Sequence, residues 1–501
     1  VKRLVIESLR TKTPLIWCYS LSLLLVAVWL RWDITPKTYF ADELIPLAVV
    51  THMQDSNTLD TNWEKADWRG DFAGAFYKLH QYNFSSYLSS LFWLRAGADS
   101  VGLESVPDLT LYRLASLACQ VGCMLLVFAI AGQLAGNTAG LLAASFIAVM
   151  PQAVVDAHYA RPESFVMLLV AMGCWLALQV DHRRSGLNGF LEALVWGVAF
   201  ACKFSFFPMA LLACGGRLVR QRYAHVFLLW CAGFLVGIAL TAPYILLDID
   251  GFFHGVRLLL DQYTPQAATV GWFASVFPSA HQLFPYLTVF FGLPVLILLV
   301  VSCRQQKIKA RCFTGVCLLV SLFYVLLFAR QGVFFERNLS HLLPLWSVLF
   351  ALGFVEIFRS LEKLWQLVGV AMLFLLWPLY LSVQIDRYFF RNLETVKQGV
   401  FLYQQNIQKK FDVGKVVIFP IIGDQTIVDN MGKKEILRVP QHKLDGLLKV
   451  NRDLEYKHFY QVAYIELPLS YLPYNQLQIN HFPPAYVYYL REAVANVGGV
   501  Q

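Results

Sequence analysis

The chain has 501 residues, 57% of them hydrophobic and only 15% charged, with a formal net charge of +8. Against roughly 25% charged residues in an ordinary soluble domain, this composition excludes a water-soluble globular protein and describes one that resides in lipid. The basic residues stand in short clusters between apolar runs, so the positive charge reads as membrane topology, and no nucleic-acid partner is implied.

Lys2, Arg3, Arg10 and Lys12 precede an apolar run over 14–30 that no small-residue cleavage site follows, which reads as an uncleaved first transmembrane helix. Apolar segments suited to crossing ~30 Å of hydrocarbon lie near 14–31, 111–133, 136–150, 163–180, 189–202, 204–216, 225–247, 283–302, 312–329, 339–358 and 364–384. The expectation is therefore about 11 transmembrane helices. The fifth and sixth segments are short and separated only by Lys203, so they read as a hairpin or as one bent element; the charge asymmetry favours two spans. With the N-terminus in the cytoplasm, Arg183, Arg184, Arg217, Arg220, Arg222, Arg304, Lys307, Lys309, Arg311, Arg359 and Lys363 all fall in cytoplasmic loops, as the positive-inside rule requires. The same assignment places Asp42, Glu43, the loops 150–163, 248–280 and 329–340, and the C-terminal tail on the outer side.

All ten cysteines lie in or beside the apolar spans, with no metal-thiolate spacing and no disulfide framework. Cys119 and Cys123 share a helical face and read as small buried hydrophobes.

The first outer loop, 32–110, is too long for a connector, and loops of that length carry function or structure of their own. Residues 42–53 read as a short helix whose acidic start suits the positive end of its dipole, so Asp42 and Glu43 are either an N-cap or a reactive pair. The aromatic-rich stretch 72–93 suits a segment lying flat at headgroup depth. In the next outer loop Pro162 drives Arg161 into an extended conformation and suits the first turn of the following helix. Polar side chains thereby gather at the outer edge, as interfacial capping or as a site. Lys203 is the sole charge between Glu192 and Arg217; it either snorkels to water or is functional. Arg330, Glu336, Arg337 and His341 surround the turn before the tenth span, and Arg337 and His341 share a helical face if that helix begins early.

Beyond 382 the pattern changes. Residues 386–411 read as an amphipathic helical region, and 415–419 and 462–466 as short strands. Two domains are expected: a transmembrane unit over 1–384, and a small α/β extracytoplasmic domain over 385–501 whose Tyr-rich end, 471–489, is open to contact with acceptor, membrane or the first outer loop. Asn83-Phe84-Ser85 and Asn338-Leu339-Ser340 fit the glycosylation triplet, a pattern short enough to arise by chance.

The opening Phe40-Ala41-Asp42-Glu43, the span start Ala160-Arg161-Pro162-Glu163, the junction Lys203-Phe204 and the run Arg337-Asn338-Leu339-Ser340-His341-Leu342-Leu343-Pro344 occur in a fixed order and on one side. Together they resemble the GT-C membrane glycosyltransferases, particularly the protein O-mannosyltransferases and lipid A aminoarabinose transferases. That resemblance implies a mainly α, polytopic membrane protein. It also implies a polyprenyl-phosphate sugar donor in the membrane and a glycan, lipid or protein acceptor entering from outside. Sugar transfer needs a base for the acceptor hydroxyl and stabilisation of an oxocarbenium-like transition state. Asp42 is the candidate base. Glu43 would orient it or the acceptor, or share a divalent cation with it. Arg161, Lys203, Arg330, Arg337 and His341 form the pool of groups for the donor phosphate, and Asp156, His158 and Glu163 stand on the acceptor side. A bacterial inner membrane is the expected location. Two other readings compete: a transporter or flippase, which would carry its charges near the midplane of repeated halves, and a surface-polysaccharide polymerase or ligase, which would use an oligosaccharide diphosphate.

Overall fold

A computed structural model describes residues 19–32, 41–62, 85–95, 109–179, 185–221, 224–263, 276–291, 293–304, 307–332, 334–358 and 364–386, and four short strands further on. In chain order the helices are α1 (Tyr19–Trp29), α2 (Ala41–Asp55), α3 (Ser86–Arg95), α4 (Thr110–Ala135), α5 (Asn137–Val149), α6 (Pro151–Ala157), α7 (Pro162–Leu178) and α8 (Ser185–Cys202). A 3-10 turn, Phe204–Phe206, leads into α9 (Phe207–Gln221). There follow α10 (Ala224–Thr241), α11 (Tyr244–Leu247), α12 (Ile249–Tyr263), α13 (Ala280–Tyr286), α14 (Leu293–Val301) and α15 (Ile308–Ala329). A 3-10 stretch, Glu336–Leu342, precedes α16 (Leu343–Ile357), and α17 (Leu364–Ile385) closes the bundle.

Each of the eleven apolar segments thus carries a helix. By length and apolarity taken singly, three pieces among the described residues suffice to cross a membrane: Thr110–Ala135, Ile308–Ala329 and Glu336–Ile357. Side chains such as Leu125, Leu228, Leu240 and Leu373 lie two-thirds exposed, while Arg31, Asp156, Arg161, Glu163 and Glu336 are buried. Leucines outside and charges inside is the arrangement that lipid enforces, because only the protein interior can pair a charge.

Three local features position the site. First, α5 and α6 meet at an angle of 62°. Met150 takes extended angles (φ −71°, ψ 124°) before Pro151, and Pro151 has no N–H for the carbonyl of Ile147 four residues back. That carbonyl accepts from Arg31 Nη2 at 2.8 Å, the carbonyl of Ala148 accepts from Arg31 Nη1 at 2.8 Å, and Ser382 Oγ donates to that of Val149 at 2.7 Å. The break is stabilised by side chains from both ends of the bundle.

Second, the chain reverses at Lys203, whose backbone is extended (φ −152°, ψ 107°). Arg217 of α9 donates through Nε and Nη2 to Glu192 Oε2 of α8, both residues buried. In one continuous helix these two would stand about 37 Å apart, at 1.5 Å per residue. Their pairing therefore makes α8 and α9 an antiparallel hairpin, which decides between the two readings of the fifth and sixth segments.

Third, α8 and α10 pack closely through glycine. A Cβ at Gly197, Gly233 or Gly237 would collide with the backbone carbonyls of Phe234, Phe190 and Leu194 respectively. Small residues four apart allow this approach in a membrane bundle.

In the tail, β1 (Lys415–Ile418), β2 (Ile436–Arg438), β3 (Phe459–Gln461) and β4 (Val487–Leu490) form a sheet of order β2-β1-β4-β3, parallel for β1 with β2 and antiparallel elsewhere. β1 falls on the strand expected at 415–419. The strand expected at 462–466 and most of the amphipathic stretch 386–411 lie outside the described residues, as do the N-terminal basic residues, 72–84 and Asn83.

Candidate active site

The site is built where α6, the start of α7, the Lys203 turn and the 3-10 stretch before α16 meet. Asp156, in the last turn of α6, is fully buried. Its Oδ1 accepts from Gln152 Nε2 at 2.9 Å and from Arg161 Nη2 at 3.3 Å, and its Oδ2 from Ser340 Oγ at 2.5 Å. Tyr286 donates to Gln152 Oε1 at 3.2 Å, extending the network to α13. Ser164 Oγ donates to the carbonyl of Asp156 at 2.9 Å and closes the α6–α7 corner. A buried carboxylate needs this density of donors to remain in an apolar interior.

Arg161 has the extended backbone expected of the residue before Pro162 (φ −129°, ψ 160°). Its guanidinium lies 4.5 Å from the centre of the Tyr159 ring and joins two carboxylates, with Nη2 at 3.3 Å from Asp156 and Nε at 3.7 Å from Glu163. On the other side of Glu163 stands Lys203, with Nζ 3.8 Å from Oε1. Lys203 also donates to Asn338 Oδ1 at 3.4 Å, and it stays 31% exposed. Glu163, Lys203, Arg337, Ser340, His341, Pro162, Val166 and Phe206 line a small pocket.

Arg337 and His341 reach this pocket by a different geometry from the one expected. The stretch Glu336–Leu342 is 3-10 and the α-helix begins only at Leu343, so residues three apart are eclipsed and those four apart are offset by about a third of a turn. The Arg337 guanidinium lies 5.0 Å from the centre of the Phe335 ring, and Arg337 and His341 both line the pocket. The His341 ring is buried edge-on among Tyr324 (4.4 Å between ring centres), Phe206 (5.0 Å) and Phe328 (6.2 Å).

The other expected site residues stand as follows. Asp42 and Glu43 occupy the first turn of α2, as read from the acidic start, and only their backbone is described. Arg330 caps α15 and is exposed, outside the pocket lining. His158 faces away: it donates from Nδ1 to the carbonyl of Val154 at 2.7 Å, with Nε2 3.8 Å from Asp386. Glu163, grouped with the acceptor residues from sequence, stands between Arg161 and Lys203, which the sequence grouped as candidates for the donor phosphate. Asn338 and Ser340, read from sequence as part of a glycosylation triplet and of the Arg337–Pro344 run but given no site role, are buried and bonded to Lys203 and Asp156. The sole sequence signal for that role was two polar residues inside an apolar span. Among the described residues no three His, Cys, Asp or Glu side chains converge on a metal position.

Residues 104–246 match the sequence model of the dolichyl-phosphate-mannose-protein mannosyltransferase family. No curated protein sequence matches the chain. Among solved structures, ArnT from Cupriavidus metallidurans bound to undecaprenyl phosphate is similar at a TM-score of 0.51 and 11% identity, over 90% of this chain and 96% of that one. The apo form of the same protein gives 0.53 at the same identity and coverage. The oligosaccharyltransferase AglB from Archaeoglobus fulgidus, in complex with an inhibitory peptide and a dolichol-phosphate, gives 0.49 at 11% identity, over 86% of this chain and 65% of that one. In fold along most of its length, and in sequence over 104–246, the chain resembles the GT-C membrane glycosyltransferases.

Proposed function

We propose that this protein is a glycosyltransferase that moves a single sugar from a polyprenyl-phosphate donor to an acceptor hydroxyl at the outer face of a bacterial inner membrane. The observation that carries this reading is the small pocket beside the α7 start, lined by Lys203, Arg337 and His341 together with Glu163 and Ser340. The ArnT-like fold supports it, since that relative binds undecaprenyl phosphate.

The acceptor hydroxyl attacks the anomeric carbon as the bond from that carbon to the phosphate oxygen breaks. Asp42 takes the hydroxyl proton, and Glu43 orients Asp42 or the acceptor, or shares a divalent cation with it. The polyprenyl phosphate leaves with one further negative charge. Lys203 meets that charge as a compact ammonium, whereas Arg337 grips two phosphate oxygens at once. Arg161, tied to Asp156, holds the α6–α7 corner in register. Arg330 and His158 do not line the pocket and take no part in this reading. In this reading residues 1–384 form the catalytic unit, with the N-terminus cytoplasmic, and 385–501 a domain on the outer side that serves the acceptor.

The test is to incubate the purified protein with polyprenyl-phosphate sugars and follow loss of the sugar by mass spectrometry, with Asp42→Asn beside the wild type. Transfer by the wild type and its loss in a folded Asp42→Asn protein are expected. Near-normal transfer by that variant removes Asp42 as the base. Consumption of an oligosaccharide diphosphate in place of the monophosphate would make the protein a polymerase or ligase.

A further inference from the structure

We infer that Glu163 is the resident counter-anion of the phosphate pocket, displaced by the lipid phosphate on entry and reclaiming the cations to release it. This rests on the proposed phosphate-binding role of the pocket and assigns a release determinant within it. Glu163 is 5% exposed, and its carboxylate stands between two cations without closing on either. Arg161 Nε is 3.7 Å away and Lys203 Nζ is 3.8 Å away. Charge-assisted N–H···O bonds close to about 2.7–2.9 Å, and Glu163 Oε2 has no hydrogen-bond partner at all. The side chain neutralises its neighbours through space without a close hydrogen bond to either.

Lys203 is poised in the same way. Its hydrogen bond to Asn338 is long at 3.4 Å, and the side chain, which lines the pocket, is 31% exposed. A phosphate monoester offers several oxygens and more than one negative charge. It can close on Lys203 and Arg337 at hydrogen-bond distance, where Glu163 cannot. While it is bound, Glu163 and the phosphate are like charges competing for the same cations in a buried place, which raises the free energy of the bound state. The conflict is greatest after the bond to the sugar has broken, when the lipid phosphate carries its extra charge. Glu163 thereby keeps the empty pocket neutral and pushes the spent lipid out.

The experiment measures binding of a polyprenyl monophosphate in detergent to wild type, Glu163→Gln and Lys203→Ala by calorimetry, with steady-state transfer on the same preparations. For Glu163→Gln the expected result is about tenfold tighter binding, with kcat and KM falling together as product release becomes limiting. A merely structural role would weaken binding instead. For Lys203→Ala binding is expected to weaken about tenfold. Unchanged or weaker binding by Glu163→Gln, with Lys203→Ala weakened, overturns the counter-anion role and leaves the phosphate pocket standing. Binding unaffected by Lys203→Ala overturns the pocket itself. Should Glu163→Gln fail to fold, Glu163→Asp keeps the charge but draws it back by one methylene; it is expected to tighten binding two- to threefold, and absence of any tightening overturns the proposal.

Discussion

Lys203 and Arg337 share a pocket but differ in what they offer a phosphate. Lysine is a point charge on a flexible stem, whereas the arginine fork fixes direction. Arg337→Lys is therefore expected to lower kcat/KM for the donor about tenfold while preserving net charge, and Lys203→Arg to be milder because Lys203 supplies charge more than geometry. Initial rates at varied donor concentration check both, and equal losses would remove the distinction. At this scale the sequence pointed to candidate residues, since a charge inside an apolar span is costly and so rarely idle. It could not pair them. Asp156 finds Ser340 across 184 positions and Lys203 finds Asn338 across 135, distances over which no local pattern speaks.

The helices carry their own predictions. Arg31 satisfies the Ile147 and Ala148 carbonyls at the α5–α6 break, and a buried carbonyl left without a donor costs about 1–3 kcal/mol. Arg31→Met is expected to destabilise the protein by roughly 2–4 kcal/mol, seen as a lower apparent Tm in detergent; an unchanged Tm would mean the break satisfies itself. Glycine gives a paired test. An added Cβ at Gly237 meets the Leu194 backbone, whereas one at Gly315 meets nothing within 4 Å. Gly237→Ala should lower Tm and Gly315→Ala should not, because only in the first must two helix backbones move apart. Apolar length and Pro151 made the elements and their break legible in the sequence. The 3-10 winding before α16 was not, since Glu336–Leu342 is compatible with an α-helix by composition.

For the whole molecule the sidedness proposed from charge is open to a direct test. Cys303 and Cys312 are exposed beside the basic turn between α14 and α15, and Gln331 lies just past the opposite end of α15. In inside-out vesicles a membrane-impermeant maleimide is expected to label Cys303 and Cys312, and in right-side-out vesicles a Gln331→Cys residue. The reverse pattern would invert the topology and place the proposed phosphate pocket on the cytoplasmic side.

By itself the sequence determined that the chain lives in lipid and where its helices run, because the cost of leaving backbone and charge unsatisfied in hydrocarbon writes a strong one-dimensional signal. It also identified the acidic start at Asp42 and the Arg-Pro-Glu corner as places to look. Only the tertiary structure decided that α8 and α9 form a hairpin, that Glu163 stands between Arg161 and Lys203, and that His158 bonds to Val154 and lies beside Asp386. Those outcomes depend on which polar side chains meet in a common interior, and each is fixed by partners far along the chain.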